Sequence, residues 1–436
     1  MSIDVPHEYR FTPCPNLSNL RVHIFRFEQS ESTDIIPVVT AQYEQLRYLW
    51  INGIKMRPSQ RIIWKPVHYH NLSQLELQYL EIEPTGTATF WDLCTQLVSL
   101  KIEEVTVDEM PARSITFDRL QRLVLKLKSR NPIERQLEWI TQCPNLNCLS
   151  WSCSDDGEPT SRFMRPFVPG TWPHLRRLIL EGIGFTDVQL ARVIGAMQDL
   201  KTFSVQTCEV GSRVLEALRH HSQTLTYLGA ISCRVLTPSC VPEILISFPH
   251  LECLYVQRVK SQDIINGPPW VCERSLKVLR IGISFSLNQD AEHQRQVLQR
   301  ISRLTNLKKL ILDCGRRSKK NLHLRLETVL DQLATLKQLK TLELHPRMEP
   351  LSVRDVEVWI LLILFMAWQL KLIWAVDMLT FGPRKLIILL SSCVSFNCAI
   401  KWMINNWKSL KEVKGYFRQK NMEELVSMFT AAGIKC

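Results

Sequence analysis

Apolar positions along this chain recur as one short phrase, Leu-x-x-Leu-x-Leu, and each recurrence predicts the same pair of elements. The phrase stands unaltered at Leu72/Leu75/Leu77, Leu120/Leu123/Leu125, Leu175/Leu178/Leu180, Leu307/Leu310/Leu312 and Leu339/Leu342/Leu344. Substituted copies are Leu17/Leu20/Val22, Leu46/Leu49/Ile51, Leu97/Leu100/Ile102, Leu146/Leu149/Trp151, Leu200/Phe203/Val205, Leu225/Leu228/Ala230, Leu251/Leu254/Val256, Leu276/Leu279/Ile281 and Leu410/Val413/Gly415. The last two apolar positions of each copy lie two residues apart, the period of one face of a strand. The first leucine, three residues earlier, enters the same core from the preceding turn. Between copies the period lengthens. Leu190, Val193, Ile194 and Met197, behind Thr186 and Asp187, carry the stripe and start signal of an amphipathic helix. Val297, Ile301 and Leu304 after Asp290 repeat it, as do Leu326, Val329, Leu330, Leu333 and Leu336.

From one lead leucine to the next the steps run from 23 to 32 residues, except the last, Leu339 to Leu410, which is 71. A strand-plus-helix unit of that size cannot bury its own apolar face, so neighbours must stack and share a continuous core. The expected fold is therefore α/β: a leucine-rich-repeat solenoid, or horseshoe, with one parallel strand and one helix in each of about 14 repeats. Strands would line the inner side and the wider helices the outer side. Residues 1–13 are expected as an N-terminal tail and residues 14–357 as the repeats. Residues 402–436 would hold the last repeat and a capping helix striped by Leu425, Met428, Phe429 and Ala432.

The segment 358–401 breaks the pattern. Val358 to Trp368 opens an apolar run that ends near Val376, and Leu386 to Ile400 forms a shorter second run. Repeat arithmetic reads it as an insertion: removing residues 358–400 takes 43 from the 71-residue step and leaves 28, an ordinary repeat. A translated, unspliced intron is the expected source. The alternative is a membrane hairpin, against which stand Lys371 within the first run and the shortness of the second.

Composition changes the picture little. The 14 cysteines follow the repeat rather than a disulfide framework: Cys208 and Cys233 each fall three residues after the last apolar position, and Cys14 and Cys143 each precede Pro-Asn-Leu. Cys143, Cys148 and Cys153 are five apart with no Cys-x-x-Cys pair, so no metal site is expected. The formal charge is +12, with its densest cluster at Arg316-Arg317-Ser318-Lys319-Lys320. No stacking aromatics interleave that cluster, so a nucleic-acid partner is not expected. A cytoplasmic or nuclear location fits the chain, with membrane attachment through residues 358–400 as the alternative.

No catalytic constellation emerges and no cofactor is implied. His68-Tyr69-His70 lacks a carboxylate or cysteine partner at ligand spacing, His220 and His221 are read as closing an outer helix, and no phosphate-binding glycine loop is present. Function is expected instead on the outward positions of the inner strands, which alternate with the core residues. The candidate partner-binding residues are Trp50, Glu76, Arg122, Arg177, Tyr227, Tyr255, Arg280, Lys309 and Glu343. Aromatics, arginines and both charges in one row are the material of a protein-recognition surface.

The chain resembles the leucine-rich-repeat portion of fungal F-box proteins. The resemblance rests on Leu175 through Asp187, on Leu200 through Cys208, and on Cys-Pro-Asn-Leu at Cys14 and Cys143. It implies a scaffold that holds a protein substrate on the concave face for ubiquitylation. In that family an N-terminal F-box of about forty residues docks on the adaptor of a cullin-type ligase, and its three helices need more than Met1 to Pro13 can supply. The substrate-holding role carries over; adaptor docking would need an F-box upstream, and this chain would then be a truncated form of such a receptor.

Overall fold

The computed structural model describes residues 2–4, 16–23, 32–33, 45–53, 61–62, 70–127, 132–153, 170–233, 240–284, 291–313, 336, 338–339, 341–345, 384–388, 410–414 and 430–431. Residues 1–225 and 230–235 form one compact unit, and residues 226–229 and 236–436 a second.

The first unit begins with β1 (Ser2–Asp4), β2 (Asn19–His23), β3 (Ser32–Thr33), β4 (Tyr48–Asn52), β5 (Arg61–Ile62), β6 (Gln74–Gln78) and β7 (Glu81–Ile82). It continues with β8 (Ser99–Val107), β9 (Arg122–Leu127), β10 (Cys148–Ser152), β11 (Arg177–Glu181) and β12 (Thr202–Gln206). β1, β2, β4, β6 and β8 through β12 pair in that order, each parallel to the next. The division between units falls within β13 (Tyr227–Ile231). The second unit carries β14 (Cys253–Lys260), β15 (Val278–Ser284), β16 (Lys309–Asp313), β17 (Thr341–His345), β18 (Arg384–Ile388) and β19 (Leu410–Lys414), again parallel in sequence order.

Register is set by the leucines. Leu20, Leu49, Leu75, Leu100, Leu123, Leu149, Leu178 and Phe203 face one another down the first ladder, each at most 2 % exposed. A slip of one residue would turn every one of them to the opposite face. The backbone repeats with the same fidelity. The carbonyl just after most lead leucines accepts two successive N–H groups of the next rung, as Asn147 O does from Arg176 N (2.9 Å) and Arg177 N (3.1 Å). Glu252 O accepts from Lys277 N (2.8 Å) and Val278 N (3.0 Å) in the same way in the second unit. After several strands the chain turns through a left-handed residue seven positions past the lead leucine: Tyr79, Glu104, Gly182, Thr207 and Ser232. At Gly182 a Cβ would stand 2.0 Å from Cys153 O, so glycine is required there.

Helices back many of the strands: α1 (Pro84–Thr95), α2 (Ile133–Thr141), α3 (Asp187–Gly195) and α4 (Ser212–Arg219) in the first unit. The second unit has α5 (Cys240–Ser247), α6 (Ser261–Asn266) and α7 (Ala291–Ile301). The expected stripes behind Thr186 and Asp290 become α3 and α7, with Leu190, Val193, Ile194, Val297 and Ile301 buried. Thr186 and Gln189 close a reciprocal capping box on α3. Asp187 does more than start its own helix. Its carboxylate accepts from Gly211 N (2.7 Å), Arg213 N (3.1 Å) and Val214 N (3.1 Å), capping α4 of the following repeat, whose own N-cap glycine has no side chain.

One helix per repeat does not hold. Residues 108–121 link β8 to β9 with no helix. The step there is the shortest, the strand is long, and Pro111 removes a helical donor. Phe117, fully buried, fills the space a helix stripe would occupy, edge-on to Trp139 at 5.9 Å. A second difference is a small extra parallel ladder of β3, β5, β7 and the end of β8, reached through a register shift between Glu103 and Val105. Within the expected tail, Ser2–Asp4 pairs with β2, and within the 358–401 segment Arg384–Ile388 pairs with β17 and β19. The rest of that segment, the basic cluster at residues 316–320 and most of the expected capping helix lie outside the described residues. Among the described residues no helix is long and apolar enough to cross a membrane.

Candidate functional site: the strand face

Alternation along each rung leaves three outward columns, and parallel register stacks them. In the first unit the middle column reads Arg21, Trp50, Glu76, Lys101, Val124, Ser150, Ile179, Ser204. Rungs spaced by about 4.8 Å put each of these side chains within reach of the next.

Trp50 and Glu76 are neighbours in that column and belong to one cluster. The Trp50 ring meets His23 edge-on at 4.6 Å, and the Arg21 guanidinium stands 5.9 Å from the centroids of both Trp50 and Tyr48. Burial raises the Tyr48 phenol above its ordinary value, and the nearby Glu76 carboxylate raises it further. Lys101 then binds Glu103 at 3.1 Å and approaches Glu76 at 3.9 Å. An amide relay crosses three rungs: Asn52 Nδ2 donates to Gln78 Oε1 (3.4 Å), and Gln78 Nε2 donates to Glu103 Oε2 (2.6 Å). Lys126 pairs with Glu104 at 2.8 Å, which holds its ammonium pKa above the usual value.

Arg122 and Arg177 lie in a different place. They are exposed, with Cys148 between them in register, and the rung of β8 separates Arg122 from Glu76. Burial raises the Cys148 thiol pKa, and the two guanidiniums oppose that rise. The five remaining candidates belong to the second unit. Tyr227 and Tyr255 pack edge to face at 5.4 Å, Arg280 is in register with Tyr255, and Lys309 binds Glu343 at 2.6 Å. Burial is the main cause that raises the Tyr255 phenol. Thus the nine residues expected from alternation all lie on strands: in the first unit a Trp50/Glu76 cluster and an arginine pair, and in the second unit the other five.

Sequence reasoning passed over Arg21 and His23, although the alternation applied to Leu20 and Val22 places them. It also passed over the ledge at the strand starts, where residues flanking each lead leucine line a groove of about 520 Å³ over four rungs. His220 and His221 are read in sequence as closing an outer helix, and they do follow α4, whose C-cap is His220; His221 has a further role. Its ring is 2 % exposed, its Nδ1 accepts from Leu200 N and its Nε2 donates to Ile194 O, each at 3.4 Å. Burial lowers its pKa, so it stands as a neutral bridge between adjacent repeats.

The described cysteines are free thiols. Cys208 and Cys233 are buried at the turns, their thiols 3.7 Å from Gln206 O and Val205 O, with pKa values pushed by burial to about 11 and about 12. Among the described residues no cluster of His, Cys, Asp and Glu is arranged to hold a metal ion. What the face presents is rings, guanidiniums, amides and carboxylates on a rigid lattice. No family model matches the chain, and no curated protein matches it.

Proposed function

We propose that this chain is a leucine-rich-repeat recognition scaffold that holds a protein partner on its strand face. We further propose that it serves as the substrate-holding part of a cullin-type ubiquitin ligase receptor, in the cytoplasm or nucleus. The observation that supports this best is the rung-by-rung register that ranks Trp50, Arg122, Arg177, Tyr255 and Arg280 on strands with the opposite faces sunk in the core. A rigid lattice of aromatic and arginine anchors loses little conformational freedom on binding, which is what a hot-spot surface needs. The ubiquitin link draws on the resemblance to fungal F-box proteins.

Two measurements test the two parts separately. The chain, extended upstream if the reading frame encodes an F-box, should co-purify with the recombinant adaptor of a cullin-type ligase. Trp50→Ala and Tyr255→Ala should each weaken capture of a captured partner by about tenfold or more while leaving the fold intact. Partner capture without adaptor binding would leave a repeat scaffold unconnected to ubiquitin. Capture unchanged in both variants would remove the strand face from the account.

A further inference from the structure

The cations of the strand face are not treated alike. Lys101, Lys126, Lys277 and Lys309 each hold a carboxylate of their own or an adjacent rung, at 3.1, 2.8, 2.6 and 2.6 Å. Arg119, Arg122, Arg176 and Arg177 hold none among the described residues, and all four are exposed. They sit on two rungs, those of Leu120 and Leu175, on either side of the rung of Leu146. Arg119 and Arg176 line the 520 Å³ groove at the strand starts, together with His174 and the amides of Gln121, Asn145 and Asn147. The one carboxylate in its lining, Asp118, already accepts from the Thr116 hydroxyl at 3.2 Å.

The groove's length follows from the repeat. Its lining takes equivalent positions from four successive rungs, which span roughly 14 Å, the length of about four extended residues. Guanidiniums two rungs apart are separated by roughly 10 Å, close to the roughly 9 Å between residues i and i+3 of a polyproline-II peptide, which point to the same side. Exposed amides between them can meet the backbone of such a peptide, which makes no hydrogen bonds of its own. No Phe, Tyr or Trp ring lines the groove, and the single imidazole of His174 offers no run of stacking platforms for single-stranded nucleic acid.

We propose that this ledge is a binding site for an acidic peptide segment of the protein partner in the polyproline-II conformation, with carboxylates three residues apart seated on the Arg119/Arg122 and Arg176/Arg177 rungs. The proposal rests on the reading of the repeats as a protein-recognition scaffold and specifies the chemistry of the partner. Guanidinium forks grip carboxylates through paired hydrogen bonds, and arginines held on neighbouring rungs are already in place to do so.

The test is fluorescence anisotropy of the purified chain with a labelled peptide of about ten residues bearing Asp or Glu at every third position. Comparison probes are the same peptide with Asn and Gln in their place, and a single-stranded oligonucleotide of equal charge. The acidic peptide should bind, the amide peptide should not, and Arg119→Gln combined with Arg176→Gln should weaken binding by about tenfold or more. Arg295→Gln, on the helix surface of the second unit, should leave it unchanged. Affinity of the unaltered chain should also fall with rising salt, a reading that needs no variant. No binding of the acidic peptide, equal binding by the double variant, indifference to salt, or tighter binding of the oligonucleotide would each overturn the assignment. Adaptor co-purification and capture through Trp50 do not use this ledge, so they can stand or fall independently of it.

Discussion

Within the first unit, the rungs β2 to β8 and the rungs β9 to β12 share one leucine register and differ in nearly everything else. The earlier rungs carry the short β3–β5–β7 ladder behind them, with α1 before β8, and their outward polar groups answer one another: Lys101 pairs with Glu103, Gln78 donates to Glu103, and Arg21 stands against two aromatic rings. The later rungs are backed by α2, α3 and α4, and their outward arginines have no acid among the described residues. The core spacing that makes a rung therefore says nothing of how its face is charged. Stability and recognition are carried by interleaved but separate residues of the same strand.

The sharpest way to break the later rungs is Trp151→Ala. The ring is 1 % exposed, packs edge-on to Phe185 at 6.3 Å, and donates from Nε1 to Gln136 Oε1 at 3.0 Å. Loss of the ring and an orphaned buried amide should cost about 3–5 kcal/mol in urea unfolding. If the earlier rungs melt separately from the later ones, the loss will show as a split transition rather than a uniform shift.

Next in size is Asp187→Ala, which removes three backbone hydrogen bonds at the start of α4. Destabilisation of about 2 kcal/mol is expected, and Asp187→Asn should restore only part of it, because the charge also favours a helix N-terminus. No counterpart of this inter-repeat cap is found in the earlier rungs among the described residues, so the effect should be confined to protection of amides near α3 and α4 in hydrogen exchange.

His221 gives a pH-dependent contrast. Burial lowers its folded pKa below the ordinary imidazole value of 6.5. The folded state then binds fewer protons than the unfolded one, so the contribution is complete above about pH 6.5 and is lost as pH falls from there through the depressed folded value. Thermal unfolding between pH 7.5 and pH 5 should show a decline that His221→Gln flattens. The smallest effect belongs to Lys101→Met. Its pairs are surface interactions, so stability should change by less than about 1 kcal/mol. The same change should make the early face more negative, read as altered salt dependence of partner binding.

The strands were legible because a two-residue alternation preceded by a leucine three positions earlier is a local property, and every copy from Leu17 to Leu344 lies on or beside a described rung. Helices were legible where a stripe followed a capping residue, as behind Thr186. The bare link from 108 to 121 was not, since it follows from how much chain a nine-residue strand leaves over. His221 reads in sequence only as the end of a helix; the approach of Leu200 N and Ile194 O, 21 and 27 residues away, makes it a neutral bridge. The nine outward candidates were found by alternation alone, whereas the separation of Trp50 and Glu76 from Arg122 by the rung of β8 needed the rung order.

Leucine spacing by itself determined that this protein builds parallel rungs and which residues sink into their core, because burial periodicity is written within a few residues of chain. Tertiary structure alone decided which charges are answered and which stand open. Residues that touch across rungs are some 25 positions apart in sequence, so Lys101 meets Glu76 and Lys126 meets Glu104, while Arg119 and Arg176 find no acid among the described residues, only once the rungs are stacked.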